Sequence, residues 1–210
     1  MSNISYINFI NNTSTLGVFS VTDIQKIYQS FDTRRLFEWK SKNYIKKLTN
    51  RWYQFSNLEK KEELGWWVSN RLRTPSYVSL ETAFSYYGFI PEGVFTVTAI
   101  TTNKTKTIHT DQYHLIYRNL KPDLYFGYKV IRYNNWPIKF AEPEKAILDY
   151  LYLNSQLKKI EDLKALRLNK DQILSTIDNK KFARYLSAFN CHALEKRVRI
   201  LEEVLDVKFK

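Results

Sequence analysis

Four ionisable side chains crowd one short stretch of this chain: Glu142, Glu144, Lys145 and Asp149, within A-E-P-E-K-A-I-L-D-Y-L-Y. Acids beside a lysine are the equipment of metal-dependent nucleases, where the groups must face one cation. The spacing here suits a different role. Such nucleases place the Glu and Lys one residue apart on a strand, whereas Glu144 and Lys145 are adjacent. Pro143 fits the first turn of a helix, and acids near that turn meet the positive end of the helix dipole. A-I-L-D-Y-L-Y then continues with helical periodicity. A helix start is the expected role, with a nuclease using Glu142 and Glu144 as a rival. No G-x-x-x-x-G-K, nucleophile elbow, Gly-Ser loop with paired Asp or Cys–metal cluster occurs. His109 and His114 have no Cys or carboxylate at ligand spacing, so two ordinary strand or surface histidines are expected. The chain reads as a protein without catalysis, cofactor or metal.

A second constellation is basic. Arg34 and Arg35 open the segment R-R-L-F-E-W-K-S-K, which Lys42 closes, and Lys46, Lys47, Asn50 and Arg51 follow within a few residues. Clustered cations gain affinity for polyanions by displacing their counterions. The net charge is +12, and it is unevenly placed. Residues 1–73 carry 12 Lys and Arg against 6 Asp and Glu, and residues 156–210 carry 13 against 8. Residues 74–155 carry 8 against 7, so the centre is nearly neutral. A solvated basic surface would share this balance. Charge licenses nucleic-acid binding without establishing it.

The elements around the basic cluster sharpen that reading. Ile4, Ile7 and Ile10 suggest a first helix ending near residues 11–15. Ser20 and Asp23 form a box-like start for a second, over residues 21–30, burying Ile24, Ile27 and Tyr28. Asp32 can cap a third over residues 33–42, with Asn43 as its left-handed terminator. Y-I-K-K-L and W-Y-Q-F then flank T-N-R as a hairpin. Three short helices followed by a hairpin is the order of a winged helix-turn-helix, expected over residues 1–58. In that motif the third helix enters the major groove and the other parts hold phosphates. Arg34, Arg35 and Lys42 are placed on the groove-facing side. Leu36, Phe37 and Trp39 are divided between core and boundary, and Lys46, Lys47, Asn50 and Arg51 ride the wing.

Residues 59–210 are expected to form a larger α+β domain. It opens with a helix whose apolar face is Leu64, Trp67, Val68 and Leu72; Trp66-Trp67 is a packing pair before it is a base-stacking platform. In T-P-S-Y-V-S-L-E-T-A-F-S-Y-Y-G, Ser79 is the expected helix cap, Leu80, Ala83, Phe84 and Tyr87 the buried face, and Gly88 the stop. Residues 93–137 read as a mainly antiparallel sheet. Basic helices close the chain, with Leu194, Val198, Leu201 and Leu205 inward and Lys180, Lys181, Arg184, Lys196, Arg197 and Arg199 elsewhere. Cys191 is a small thiol expected to be buried; as the one cysteine it excludes an internal disulfide. No secretory signal and no bilayer-length apolar run is seen, so a soluble, cytoplasmic protein is expected.

Four segments occur in one order: S-Y-V-S-L-E-T-A-F-S-Y-Y-G-F-I-P, V-T-A-I-T-T-N-K-T-K-T-I, Y-H-L-I-Y-R-N-L and A-E-P-E-K-A-I-L-D-Y-L-Y. This set, spanning residues 74–152, resembles the AbiEi family, the antitoxins of bacterial abortive-infection (phage-defence) toxin–antitoxin systems. The resemblance implies an amino-terminal winged helix that binds the protein's own promoter, as a transcriptional repressor. It also implies a nucleotidyltransferase-like toxin as functional partner, countered without a stable complex, and protein monomers that bind operator DNA cooperatively. Where the family often has a wing-turn Gly, this chain has Asn50-Arg51. A stand-alone winged-helix regulator with a sensing domain is the alternative, and RNA binding by the basic carboxyl-terminal helices a further one.

Overall fold

The computed structural model describes residues 4–209, an α+β structure built on two sheets. The first part runs α1 (Tyr6–Thr13), β1 (Val18–Ser20), α2 (Val21–Ile27), α3 (Arg34–Ser41), β2 (Ile45–Thr49) and β3 (Trp52–Phe55). Its strands pair antiparallel in the order β1-β3-β2. Local chemistry accounts for the helix starts. The Ser20–Asp23 capping box forms as expected, with the Asp23 amide donating to Ser20 Oγ at 3.1 Å and the Ser20 amide to Asp23 Oδ2 at 2.8 Å. Asp32 accepts the Arg34 amide at 3.0 Å, and Asn43 ends the third helix at φ 56°.

The expected helix faces needed correction. Phe9 and Thr13 are the buried residues of α1, while Ile7 is 69% exposed. Phe9 is drawn inward by a cluster of rings, Phe19, Phe31, Trp39 and Phe55, and this sets the rotation of the helix. Helix α2 stops at Ile27, and Ile24 is buried while Ile27 is 46% exposed. Strand β1 was not foreseen, since three residues are too few to display an alternation.

The second part contains α4 (Glu62–Leu72), β4 (Ser76–Val78), α5 (Leu80–Tyr86), β5 (Val97–Thr101), β6 (Lys106–His109) and β7 (His114–Asn119). It continues with β8 (Tyr128–Tyr133), β9 (Trp136–Ala141), α6 (Pro143–Leu153), α7 (Ile160–Lys164), α8 (Lys170–Thr176), α9 (Asn179–Phe189) and α10 (His192–Leu205). The sheet order is β6-β7-β5-β4-β9-β8. It is mainly antiparallel, through β4–β5, β6–β7 and β8–β9, but mixed: β5 pairs with β7, and β4 with β9, in parallel. β4, whose three residues read in sequence as the approach to a helix, inserts between β5 and β9 and makes the second of these pairings. The first arises because β6 lies outside β7, which brings β7 beside β5. Helix α4 packs on β4, β5 and β9; α5 packs on β5 and α6; and α6 is backed by α9 and α10.

Ser79 does not cap α5. Its hydroxyl donates instead to Asp149 Oδ2 at 3.0 Å, and the Thr82 amide is taken by Thr98 Oγ1 at 3.1 Å. Gly88 holds the left-handed stop at φ 68°. Trp66 and Trp67 both pack: Trp66 against Tyr86 and Phe140, Trp67 face to face with Trp136. Arg197 is buried and donates to the Leu151 carbonyl at 2.8 Å, and Cys191 is half-buried. Leu194, Val198, Leu201 and Leu205 face inward as expected.

There are two hydrophobic cores, and the small sheet belongs to both. Phe19, Ile45 and Phe55 point into the core formed with α1–α3, whereas Val18 and Leu48 point into the core of the second part. Successive strand residues face opposite ways, so a three-stranded sheet can be buried on both sides. Trp136 closes the junction: its Nε1 donates to the Thr15 carbonyl at 2.9 Å while its ring lies on Gly17. Gly17 has φ 63°, and a Cβ there would overlap the ring.

Candidate nucleic-acid interface

Helix α3 divides into an inner and an outer face. Leu36 and Trp39 are buried, while Arg34, Phe37, Lys40 and Ser41 are exposed. Positions 34, 37 and 41 share one stripe by helical period. Arg34 is 83% exposed in its side chain and rests on Asp32, with Nη2 to Oδ2 at 2.8 Å. The Arg34 hydrogen bonds hold the Asp32 carboxyl below its ordinary value. Arg34 thus begins in an exposed ion pair, of a kind that contributes little to stability and exchanges readily for another anion.

Arg35 does not share that face. It is half-buried, donating to the Ile4 carbonyl at 2.8 Å and to Glu38 Oε2 at 2.9 Å, with its guanidinium over Trp39. The expected groove-facing placement of Arg35 is therefore corrected: one residue is about 100° of helix, which turns it from Arg34 toward α1. Lys42 is exposed at the end of α3 and pairs with Glu38 Oε1 at 2.8 Å; that bond holds the Glu38 carboxyl below its usual range.

Lys46 and Lys47 lie on β2, and the Asn50-Arg51 turn joins β2 to β3. A bulge between Lys47 and Thr49 shifts the register, leaving Leu48 free to enter the second core. Arg51 supplies the left-handed turn residue at φ 63°, and its carbonyl accepts the Val21 amide at 3.0 Å. Lys40, Lys46, Lys47 and Asn50 line a cleft of about 540 Å³ together with Thr110, Asp111 and Gln112 of the β6–β7 turn. Gln54 fixes that turn in place, donating to Gln112 Oε1 at 2.7 Å and accepting from Tyr113 Oη at 3.1 Å. The small sheet is thus tied to the second part of the chain, and Asp111 lines the same cleft as Lys40, Lys46 and Lys47.

The suspected catalytic stretch has another architecture. Lys145 and Asp149, one turn apart on α6, are fully buried and in direct contact. Tyr77 Oη donates to Asp149 Oδ2 at 2.8 Å, and Lys145 Nζ donates to Tyr77 Oη at 2.9 Å. Burial pushes the Asp149 carboxyl up and the Lys145 ammonium down, with their mutual attraction opposing both. Glu144 is buried and accepts the Asp178 amide at 2.8 Å; Glu142 accepts from Lys181 and Tyr185 on α9. Glu142 and Glu144 tie the start of α6 to α9, whereas Lys145 and Asp149 tie α6 to Tyr77 on β4. His109 and His114 are cross-strand partners with stacked rings. Among the described residues no three His, Cys, Asp or Glu side chains form a group that could hold a metal. No helix among them is long and apolar enough to cross a membrane.

The chain matches no family model and no curated protein.

Lys40 and Asn43 are further polar members of this surface, and Phe37, expected at the core or its boundary, is exposed on it instead. The Arg34–Phe37–Lys40 spacing of three was the available signal for Lys40 and Phe37. Asn43 carried none beyond its role as helix terminator.

Proposed function

We propose that residues 1–58 form a winged helix-turn-helix that binds double-stranded operator DNA, and that residues 59–210 form the antitoxin domain of an AbiEi-type abortive-infection system. The observation that carries the DNA reading is the order α1-β1-α2-α3-β2-β3 with strands arranged β1-β3-β2 and the face of α3 that holds Arg34 left open. Arg34 and Lys40 on α3, Lys42 at its end, and Lys46, Lys47, Asn50 and Arg51 at the wing supply the contacts. Arg35 acts by tying α3 to the Ile4 carbonyl, just ahead of α1.

In this reading the protein represses its own promoter in the cytoplasm and counters a nucleotidyltransferase-like toxin without catalysis or a stable complex. The antitoxin assignment rests on the resemblance over residues 74–152. The tying of Glu142, Glu144, Lys145 and Asp149 into the packing of α6 supports a non-enzymatic second domain.

A salt-titrated binding assay against DNA upstream of the protein's gene, with scrambled DNA as control, tests the DNA reading. Preference for the upstream DNA that survives rising salt supports it. Equal, salt-sensitive binding to both would reduce the interaction to bulk charge. Co-expression with the neighbouring gene tests the antitoxin role: relief of that gene's toxicity is expected, and unrelieved or absent toxicity overturns it.

A further inference from the structure

Phe37 lies outside both cores. It is 78% exposed, yet it stands in the middle of the outer face of α3, one turn from Arg34 on one side and from Lys40 and Ser41 on the other. Leu36 and Trp39 are the buried apolar residues of the helix, and the ring packs into neither core. An apolar ring framed by cations matches a ligand that offers anions at its edges and an apolar group between them. The major groove of DNA is such a ligand: phosphates line it, and the thymine 5-methyl is the apolar feature displayed by its bases.

We propose that Phe37 is a specificity residue that reads a thymine through its 5-methyl group. This rests on the DNA-binding reading above. Arg34 would leave Asp32 for a phosphate or base edge on one flank, and Lys40 would meet the backbone on the other. The preferred site then contains a T·A pair opposite the centre of α3.

The test uses the full chain. Duplexes preferred by the wild-type protein are selected from a random-sequence pool, and each thymine is replaced in turn by deoxyuridine, which removes the methyl alone. For wild type, one such replacement per bound protein weakens binding about fourfold, the value of one buried methyl-sized group. Phe37→Ala binds the unsubstituted duplex more weakly and is indifferent to that replacement, while Phe37→Leu retains part of the effect. Circular dichroism confirms that the variants fold, as an exposed position allows. If Phe37→Ala keeps the full methyl sensitivity, or no thymine shows any, the inference is overturned and the DNA reading stands. If the pool yields no enriched sequence and binding equals that of scrambled DNA, the DNA reading falls and the inference with it.

Discussion

Arg34 and Arg35 are adjacent in the chain but face different surroundings, and their substitutions separate binding from stability. Arg34→Ala removes an exposed side chain, so stability is expected to stay close to wild type while, on the proposed DNA reading, operator affinity falls. Arg35→Ala deletes the bond to Ile4 and the ring contact with Trp39, and costs about 1–2 kcal/mol of stability in urea unfolding. Normal operator affinity in folded Arg34→Ala would contradict the assigned face. Lys145 gives the sharper stability test. Lys145→Met strips the buried Asp149 carboxyl of its cation, so it must either stay charged unpaired or take up a proton, and about 3–5 kcal/mol is lost. Lys145→Met combined with Asp149→Leu costs less than the single change, because no orphan carboxyl remains. Denaturant midpoints of the two variants check this. Neither role was legible from residue type alone: arginine beside arginine, and lysine beside glutamate, look equivalent until burial separates them.

Helices α6 and α9 are clamped through carboxylates, which makes their contact acid-sensitive. Burial by itself would raise the Glu142 carboxyl, but hydrogen bonds from Tyr185 and Lys181 outweigh it and hold the group below its ordinary value. A carboxyl depressed in the folded state contributes stability above its unfolded value, about 4.3, and loses it as pH falls through the lower folded value. Acid unfolding of wild type therefore steepens below that point, and Glu142→Gln flattens this limb. An unchanged acid limb in Glu142→Gln would remove the clamp from the account. The start of α5 shows how an element's cap can be misread. Ser79 has the residue type and position of a cap, and such hydroxyls ordinarily serve the nearest free amide. Here Asp149, 70 residues away in sequence, accepts that hydroxyl, and Thr98 from β5 caps in its place. Thr98→Val is expected to cost about 1 kcal/mol by freeing the Thr82 amide, measured by thermal or urea unfolding.

At the scale of the whole molecule, the small sheet buried on both faces couples the two cores. Trp136→Ala opens the junction at Gly17 and Thr15, with a loss of about 3–5 kcal/mol. Wild type is expected to unfold in one calorimetric transition; two separated peaks would show the cores to be independent. The reading from sequence succeeded where cause and effect are close in the chain. The Ser20–Asp23 box, the Asn43 and Gly88 stops, the hairpin around Asn50-Arg51 and the inward leucines of α10 all depend on neighbours within a turn or two. Periodicity and capping chemistry are local, and they determined the elements and the α+β class. Tertiary contact decided the rest: the rotation of α1 onto Phe9, the insertion of β4, the parallel pairings, the turning of Arg35 inward and the burial of Lys145 with Asp149. Each depends on which distant surface arrives opposite a residue. Hydrophobic burial is non-directional, so the pattern of a segment shows that a face will be covered but not by what.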